Sequence, residues 1–319
     1  MKLLAALLLA VAFTAPAAAA ESVPLPHVSA GRVERLAGFA SKYVPARNVD
    51  VWLPPGYPAQ APYAVLYMHD GQMLFDAAHT WNHQEWRVDE VASALLAQHK
   101  VRPFIVVGIW NAGPLRMSEY FPQKPWEALT PAQQKHLYKQ KQGEAPLLPQ
   151  PPYADRYLRF LVEELKPFID HHYAVDPRPQ STFTMGSSMG ALVSMYALAE
   201  YPQVFGGAAC MSTHWPGASL QEDPANPGPA AFQAYIAAHF PPPGAHRIYF
   251  DHGSQTLDAL YADRQAKVDA ILRAKGYGPA DFASLTFPGA DHSEKSWAAR
   301  LDQPLVFLLG PAPDRAAAH

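Results

Sequence analysis

STFTMGSSMGALVSMYALAEY, residues 181–201, is the stretch on which the reading of the fold turns. Ser181 to Met185 is a short apolar run with the composition of a buried strand. Met189 to Tyr201 has the length and patterning of an amphipathic helix. Between them, Gly186-Ser187-Ser188-Met189-Gly190 fits G-x-S-x-G. The pattern alone recurs by chance, and small residues also suit a plain strand-to-helix turn. The strand before it and the helix after it make it read as a nucleophile elbow. Such a turn strains the backbone, and the flanking glycines leave room for it. It would present the Ser188 hydroxyl at a helix N-terminus, where positive potential favours a developing oxyanion. Ser187 is the neighbouring alternative, off the centre of the pattern.

Working outward, apolar strand-like runs alternate with helix-length runs, which predicts an α/β fold with a mostly parallel central sheet and helices on both faces. Upstream lie YAVLYM (Tyr63 to Met68), a helix over Trp86 to His99, FIVVGIW (Phe104 to Trp110) and a long helix over Ala154 to Tyr173. Downstream come strands over Val204 to Met211 and His246 to Phe250, a helix over Leu257 to Lys275, a last strand over Phe282 to Phe287 and a closing helix over Trp297 to Leu309. Arg32 to Phe39 and Asn48 to Leu53 have no helix between them and predict an antiparallel start to the sheet. No repeat or second composition zone appears, so residues 21–319 are expected to form one domain. Residues 122–152 resist the alternation. An insertion of that length is either a lid or binding loop or a packed surface excursion.

A serine hydroxyl needs a neighbouring base to take its proton. In a sheet with this elbow the acid and then the histidine follow the serine along the chain. Of fourteen histidines, His292 in FPGADHSEKSW follows the last strand and is the expected base. The acid should follow the strand before that one, in DHGSQTLDALYAD. Asp258 stands where a carboxylate reaches an imidazole and fixes its tautomer; Asp251 ends the strand and Asp263 lies a turn further on. Asp258 also suits a plain first-turn helix carboxylate.

The oxyanion donors are expected to be the backbone N–H of Met189 and one from His69-Asp70-Gly71-Gln72-Met73, with Gln72 favoured over Met73. Gly71 would allow close approach of that backbone. Arg116 and Glu119 follow a strand end at the expected active-site edge. Arg116 is a candidate for binding a substrate carboxylate or polar head group, or half of an Arg116–Glu119 pair bracing the loop. His214 and Trp215 are candidate pocket residues. Trp81, Trp86 and Trp110 are candidate aromatic walls, with core packing the plainer role for each.

Hydrophobic residues make up 49% of the chain and charged ones 17%, enough for a sizeable core. A net charge of -3 carries no basic footprint for nucleic acid. The 33 prolines are spread through short loops. Lys2, the apolar run Leu3 to Phe13 and Ala18-Ala19-Ala20 compose a cleavable export signal over residues 1–20, with the mature chain starting near Glu21. That run is too short to span a bilayer comfortably, so no membrane span is expected in the mature chain, and the expected location is periplasmic or secreted. Cys210 is the one cysteine, which excludes an intramolecular disulfide. It lies in FGGAACM and is read as a small buried hydrophobe. No metal-binding pattern is visible, so no metal is expected.

HDGQMLFD, WNHQEW, IVVGIWN with R-x-x-E-Y, GSSMG, STHW and GADHSEKSW together resemble the putative esterase family, over about residues 31–309. That family takes in enterochelin esterases, esterase D, feruloyl esterases and mycolyltransferases, and the chain looks most like the periplasmic siderophore-esterase branch. The resemblance implies an α/β-hydrolase fold, a serine triad with Ser188 and His292 in it, no cofactor, and an arginine corresponding to Arg116 that helps hold a charged ligand. The acid departs from the pattern: relatives often carry a carboxylate where this chain has Thr256 and Leu257. The expected function is hydrolysis of a carboxylic ester, of a siderophore or an acylated sugar, through an acyl-enzyme. Acyl transfer to a sugar or lipid alcohol by the same triad is the alternative. A binding protein with a vestigial site and a serine peptidase are minor readings. Nothing in the sequence specifies the oligomeric state.

Overall fold

The computed structural model describes residues 23–311. The export signal expected over residues 1–20 lies outside the described residues.

Eight strands form one sheet: β1 (Arg32–Phe39), β2 (Arg47–Leu53), β3 (Ala64–His69), β4 (Phe104–Ile109), β5 (Thr182–Ser187), β6 (Gly207–Met211), β7 (Arg247–His252) and β8 (Phe282–Thr286). Their spatial order is β1-β2-β4-β3-β5-β6-β7-β8. β2 pairs antiparallel with both β1 and β4, and every other pairing is parallel. The sheet therefore has the antiparallel start read from the sequence. The central strands are buried along their whole length because both faces are covered. One core packs around Val65, Tyr67, Ile105, Val107, Leu192 and Ile248. The other, on the opposite face, packs around Leu66, Met68, Val106, Met185 and Leu305. Cys210 is fully buried in the first.

The structure departs from the sequence reading in ways that have local causes. The helix after the elbow, Met189–Glu200, is buried all round over Met189 to Ala199 rather than amphipathic, since other helices pack on the face turned away from the sheet. One of these, Gly228–His239, had no counterpart in the sequence reading. The predicted helix over Ala154 to Tyr173 widens to a π-helix at Phe160–Leu165. Pro167 lacks an N–H and its ring crowds the carbonyl four residues back, which a wider turn relieves. The helix predicted from Leu257 is a 3-10 segment, Thr256–Leu260, followed by Ala262–Ala274. The closing helix is two pieces, Glu294–Ala298 and Asp302–Leu309.

Residues 122–152 hold two short helices, Gln123–Glu127 and Pro131–Tyr138, and a small hairpin pairing Gln142 with Ala145. Trp126, Leu129, Leu137 and Leu148 bury themselves in the core, while Gln142, Pro146 and Pro149 face a cavity. Among the described residues no helix is long and apolar enough to cross a membrane.

Candidate active site

The loops that follow the carboxyl ends of the parallel strands gather on one edge of the sheet, where open α/β sheets bind their ligands. They enclose a cavity of about 930 Å³. Ser188, Met189, Gln72, Arg116, His214 and His292 all line it. A second cavity, about 670 Å³, opens at the opposite edge beside Arg102 and Asp281, and no serine lines it.

Ser188 sits between β5 and its helix with φ 57 and ψ -121, a conformation costly for a residue with a side chain. Its neighbours hold it there. Ser188 N–H donates to Met211 O at 3.0 Å, and Ser188 O accepts from His214 N–H at 3.2 Å. The turn is possible because Gly186 lacks a side chain: a Cβ there would stand 2.7 Å from the Gly190 carbonyl carbon. Ser188 lines the cavity at 9% exposure, and its hydroxyl has no hydrogen-bond partner among the described residues.

His292 Nδ1 lies 2.6 Å from Asp258 Oδ1. A neutral imidazole that donates from Nδ1 keeps a lone pair on Nε2. The loop is held by His292 N–H, which donates to Thr256 Oγ1 at 2.9 Å. It is also held by the N–H groups of Ser254 and Gln255, which both donate to Ala290 O. Gly253 is required at this crossing, because a Cβ would collide with the Ala290 carbonyl.

Asp258 is buried, and burial pushes its carboxyl pKa up. Hydrogen bonds from His292, Ser212 and Gly253 outweigh that and leave it below the usual carboxylate value. Ser212 O–H and Gly253 N–H each reach Oδ2 at 2.6 Å. Ser212 Oγ in turn accepts from Trp297 Nε1 and Arg300 Nη2, both at 2.9 Å. Of the other two aspartates, Asp251 is buried against Arg300 and Tyr249, and Asp263 is exposed in the first turn of its helix. Neither reaches His292.

Met189 N–H lies in the first turn of its helix, where no intrahelical carbonyl is available. Gln72 lies in the 3-10 turn Gly71–Met73 across the cavity. Met73 N–H is committed to Asp70 O at 2.9 Å. Gly71 is pressed on β4, and a Cβ there would overlap the Gly108 carbonyl.

Several expected pocket residues need correction. Arg116 does not pair with Glu119. Its Nε and Nη2 fork onto the two oxygens of Asp70 at 2.6 and 2.7 Å, while Glu119 is fully buried in a bidentate pair with Arg47. Trp215 does not line the cavity. It is buried in the core and donates from Nε1 to Gln265, since neighbouring side chains leave the turn on different sides. His214 does line the cavity, but both ring nitrogens are engaged, by Tyr261 O–H and by Ser219 O. Its burial pushes its pKa down to about 3, so it stays neutral. Trp81, at 81% exposure, and the buried Trp86 line the cavity. Trp110 stands outside it and donates to Asp50.

Sequence reasoning missed Ser212, Thr256, Asp70 and Arg300. Ser212 carried one signal, a hydroxyl directly after the apolar strand FGGAACM.

The family model described as Putative esterase matches residues 44–308. The chain belongs to that family. The match takes in every site residue named above. YbbA, an uncharacterized protein of Bacillus subtilis, is 24% identical over 271 residues, spanning 83% of this chain and 93% of that protein. A ferulic acid esterase of Anaeromyces mucronatus, solved in complex with ferulic acid, matches 91% of this chain and 93% of its own at 19% identity, with a TM-score of 0.59. The enterobactin esterase of Shigella flexneri, solved in the presence of enterobactin, has a TM-score of 0.62 at 16% identity. It matches 89% of this chain but only 60% of its own length. These likenesses agree with the α/β-hydrolase fold read from the sequence.

Proposed function

We propose that the protein is a serine carboxylic-ester hydrolase with Ser188 as nucleophile, His292 as general base and Asp258 as the acid that orients it. The observation that carries this reading is the His292–Asp258 hydrogen bond, 2.6 Å long, on the wall of the cavity that Ser188 also lines. His292 Nε2 takes the Ser188 proton as Oγ attacks the ester carbonyl. The oxyanion is stabilised by the N–H groups of Met189 and Gln72. His292 then protonates the departing alcohol. Water, activated by the same imidazole, releases the acid and restores Ser188.

The depressed Asp258 pKa supports an ionised carboxylate beside the imidazolium that forms during attack. Membership of the esterase family supports ester hydrolysis as the reaction class. The export-signal pattern read in the sequence of residues 1–20 supports a periplasmic or secreted location for residues 21–319, read as one domain. Siderophore esters and acylated sugars are the substrate classes taken forward, since the two solved neighbours named above are enterobactin and ferulic acid esterases.

The test is a panel of enterobactin-type, feruloyl, acetylated-xylan and short p-nitrophenyl esters, with wild type and Ser188→Ala compared. Wild type is expected to release free acid without an added alcohol, and Ser188→Ala to lose about a thousandfold or more in kcat. Turnover only with an added sugar or lipid alcohol would establish acyl transfer instead.

A further inference from the structure

We infer that Arg116, through its fork onto Asp70, is a positioning residue that fixes the oxyanion loop, not an anchor for a charged substrate group. The inference rests on the serine-esterase reading above.

Asp70 is the residue before the 3-10 turn that carries Gln72, and it adopts the left-handed conformation, φ 58 and ψ 44. A non-glycine residue keeps such a backbone only when its surroundings hold it. Three groups do so. Arg116 grips both carboxylate oxygens, at 2.6 and 2.7 Å, a bidentate geometry that fixes direction as well as distance. Asn111 Nδ2 donates to Oδ1 at 2.7 Å. Tyr120 O–H stands 3.4 Å from the Asp70 N–H nitrogen. The carboxylate also abuts the elbow helix, where a Cβ on Gly190 would lie 3.3 Å from Asp70 Oδ2. The Asp70 side chain therefore lies beside the helix that Met189 opens, while its backbone leads into the turn that carries Gln72.

The brace is itself anchored. Arg116 opens the short helix Arg116–Tyr120. Glu119 of that helix is clamped to β2 by Arg47. The R-x-x-E-Y motif is thus accounted for residue by residue: Arg116 and Tyr120 meet Asp70, and Glu119 holds their helix in place. A substrate carboxylate would have to compete with Asp70 for a guanidinium already neutralised.

The experiment measures steady-state kinetics of Arg116→Met, Arg116→Lys and Asn111→Ala on two p-nitrophenyl esters of equal chain length, one neutral and one with a free carboxylate. Phosphonylation rates by a neutral fluorophosphonate are measured alongside. Arg116→Met is expected to lower kcat by about a hundredfold on both esters alike, with KM changed by less than about threefold. Phosphonylation should slow in parallel, and Arg116→Lys should recover part of the loss. Asn111→Ala, which keeps the ion pair, should show the same kcat-only pattern at smaller size, and it serves if Arg116→Met does not fold. A rise in KM confined to the carboxylate-bearing ester would overturn the inference and make Arg116 a substrate anchor. Unchanged kcat on both esters in variants that fold would also overturn it. Wild-type turnover by Ser188→Ala would instead overturn the underlying serine reading, so the two failures are distinguishable.

Discussion

Ser212 and Asp258 meet in a buried hydrogen bond of 2.6 Å, which ties the end of β6 to the carboxylate that also bonds His292 Nδ1. Ser212 has φ 43 and is fully buried. Its hydroxyl donates to the carboxylate and accepts from Trp297 and Arg300. Three segments distant in sequence converge on one oxygen atom. Ser212→Ala would strip Asp258 of a donor and leave two buried N–H groups short of an acceptor. Each unsatisfied group costs about 1–3 kcal/mol. Chemical denaturation should show that loss of stability, together with a fall in kcat of about tenfold or more as His292 loses its fixed orientation.

The three aspartates considered for the acid separate under substitution. Asp258→Asn should lower kcat by about a thousand- to ten-thousandfold, because the amide no longer holds the productive tautomer. Asp263→Asn, on an exposed helix surface, should leave kcat within about twofold of wild type. Asp251→Asn should lower the unfolding midpoint by weakening its buried pair with Arg300. A kcat profile in which Asp263→Asn is the damaging change would refute the assignment.

Gly71→Ala tests the proposed oxyanion loop without touching a charged group. The added Cβ overlaps the Gly108 carbonyl, so the turn must shift and carry Gln72 N–H with it. Loss of one donor costs about a hundred- to a thousandfold in kcat. Kinetics with KM little changed is the expected result.

Trp81 is the exposed aromatic of the cavity wall. Trp81→Ala should raise KM for esters with a ring near the scissile bond by about two- to tenfold, from the loss of one aromatic contact. Short aliphatic esters should be unaffected. Equal effects on both classes would remove Trp81 from substrate binding.

Stability should depend on pH through His69 and His214. Burial lowers both pKa values to about 3. Below the free imidazole value of about 6.5 the unfolded chain takes up protons that the folded chain refuses. Stability is therefore fully present above that value and is lost progressively as pH falls towards about 3. Urea midpoints over this window should fall, and His69→Gln should flatten the slope by up to one proton.

The sheet, its antiparallel start and the elbow were legible because strand runs such as YAVLYM and FIVVGIW carry continuous apolar signals. The pairing of His292 with Asp258 was legible from chain order, which set the histidine after the last strand and favoured Asp258 among three neighbouring aspartates. Trp215 was misread as a pocket residue and Arg116 as a partner of Glu119, because neither residue's type nor its strand-end position specifies which distant side chain it meets. Their actual partners, Asp70 and Gln265, lie 46 and 50 residues away in sequence. Ser212 and Thr256 escaped notice because their roles depend on positive φ values that no local pattern announces. The helix Gly228–His239 was hidden by Gly228 and Pro229, which read as loop, although proline suits a first helical turn.

The most direct test of the proposed triad is mass spectrometry after reaction with a fluorophosphonate, which bonds to an activated serine with loss of fluoride. One adduct per chain on the peptide that carries Ser188, lost in Ser188→Ala and strongly slowed in His292→Ala, is the predicted result. Labelling of a different residue, or undiminished ester turnover by Ser188→Ala, would contradict it.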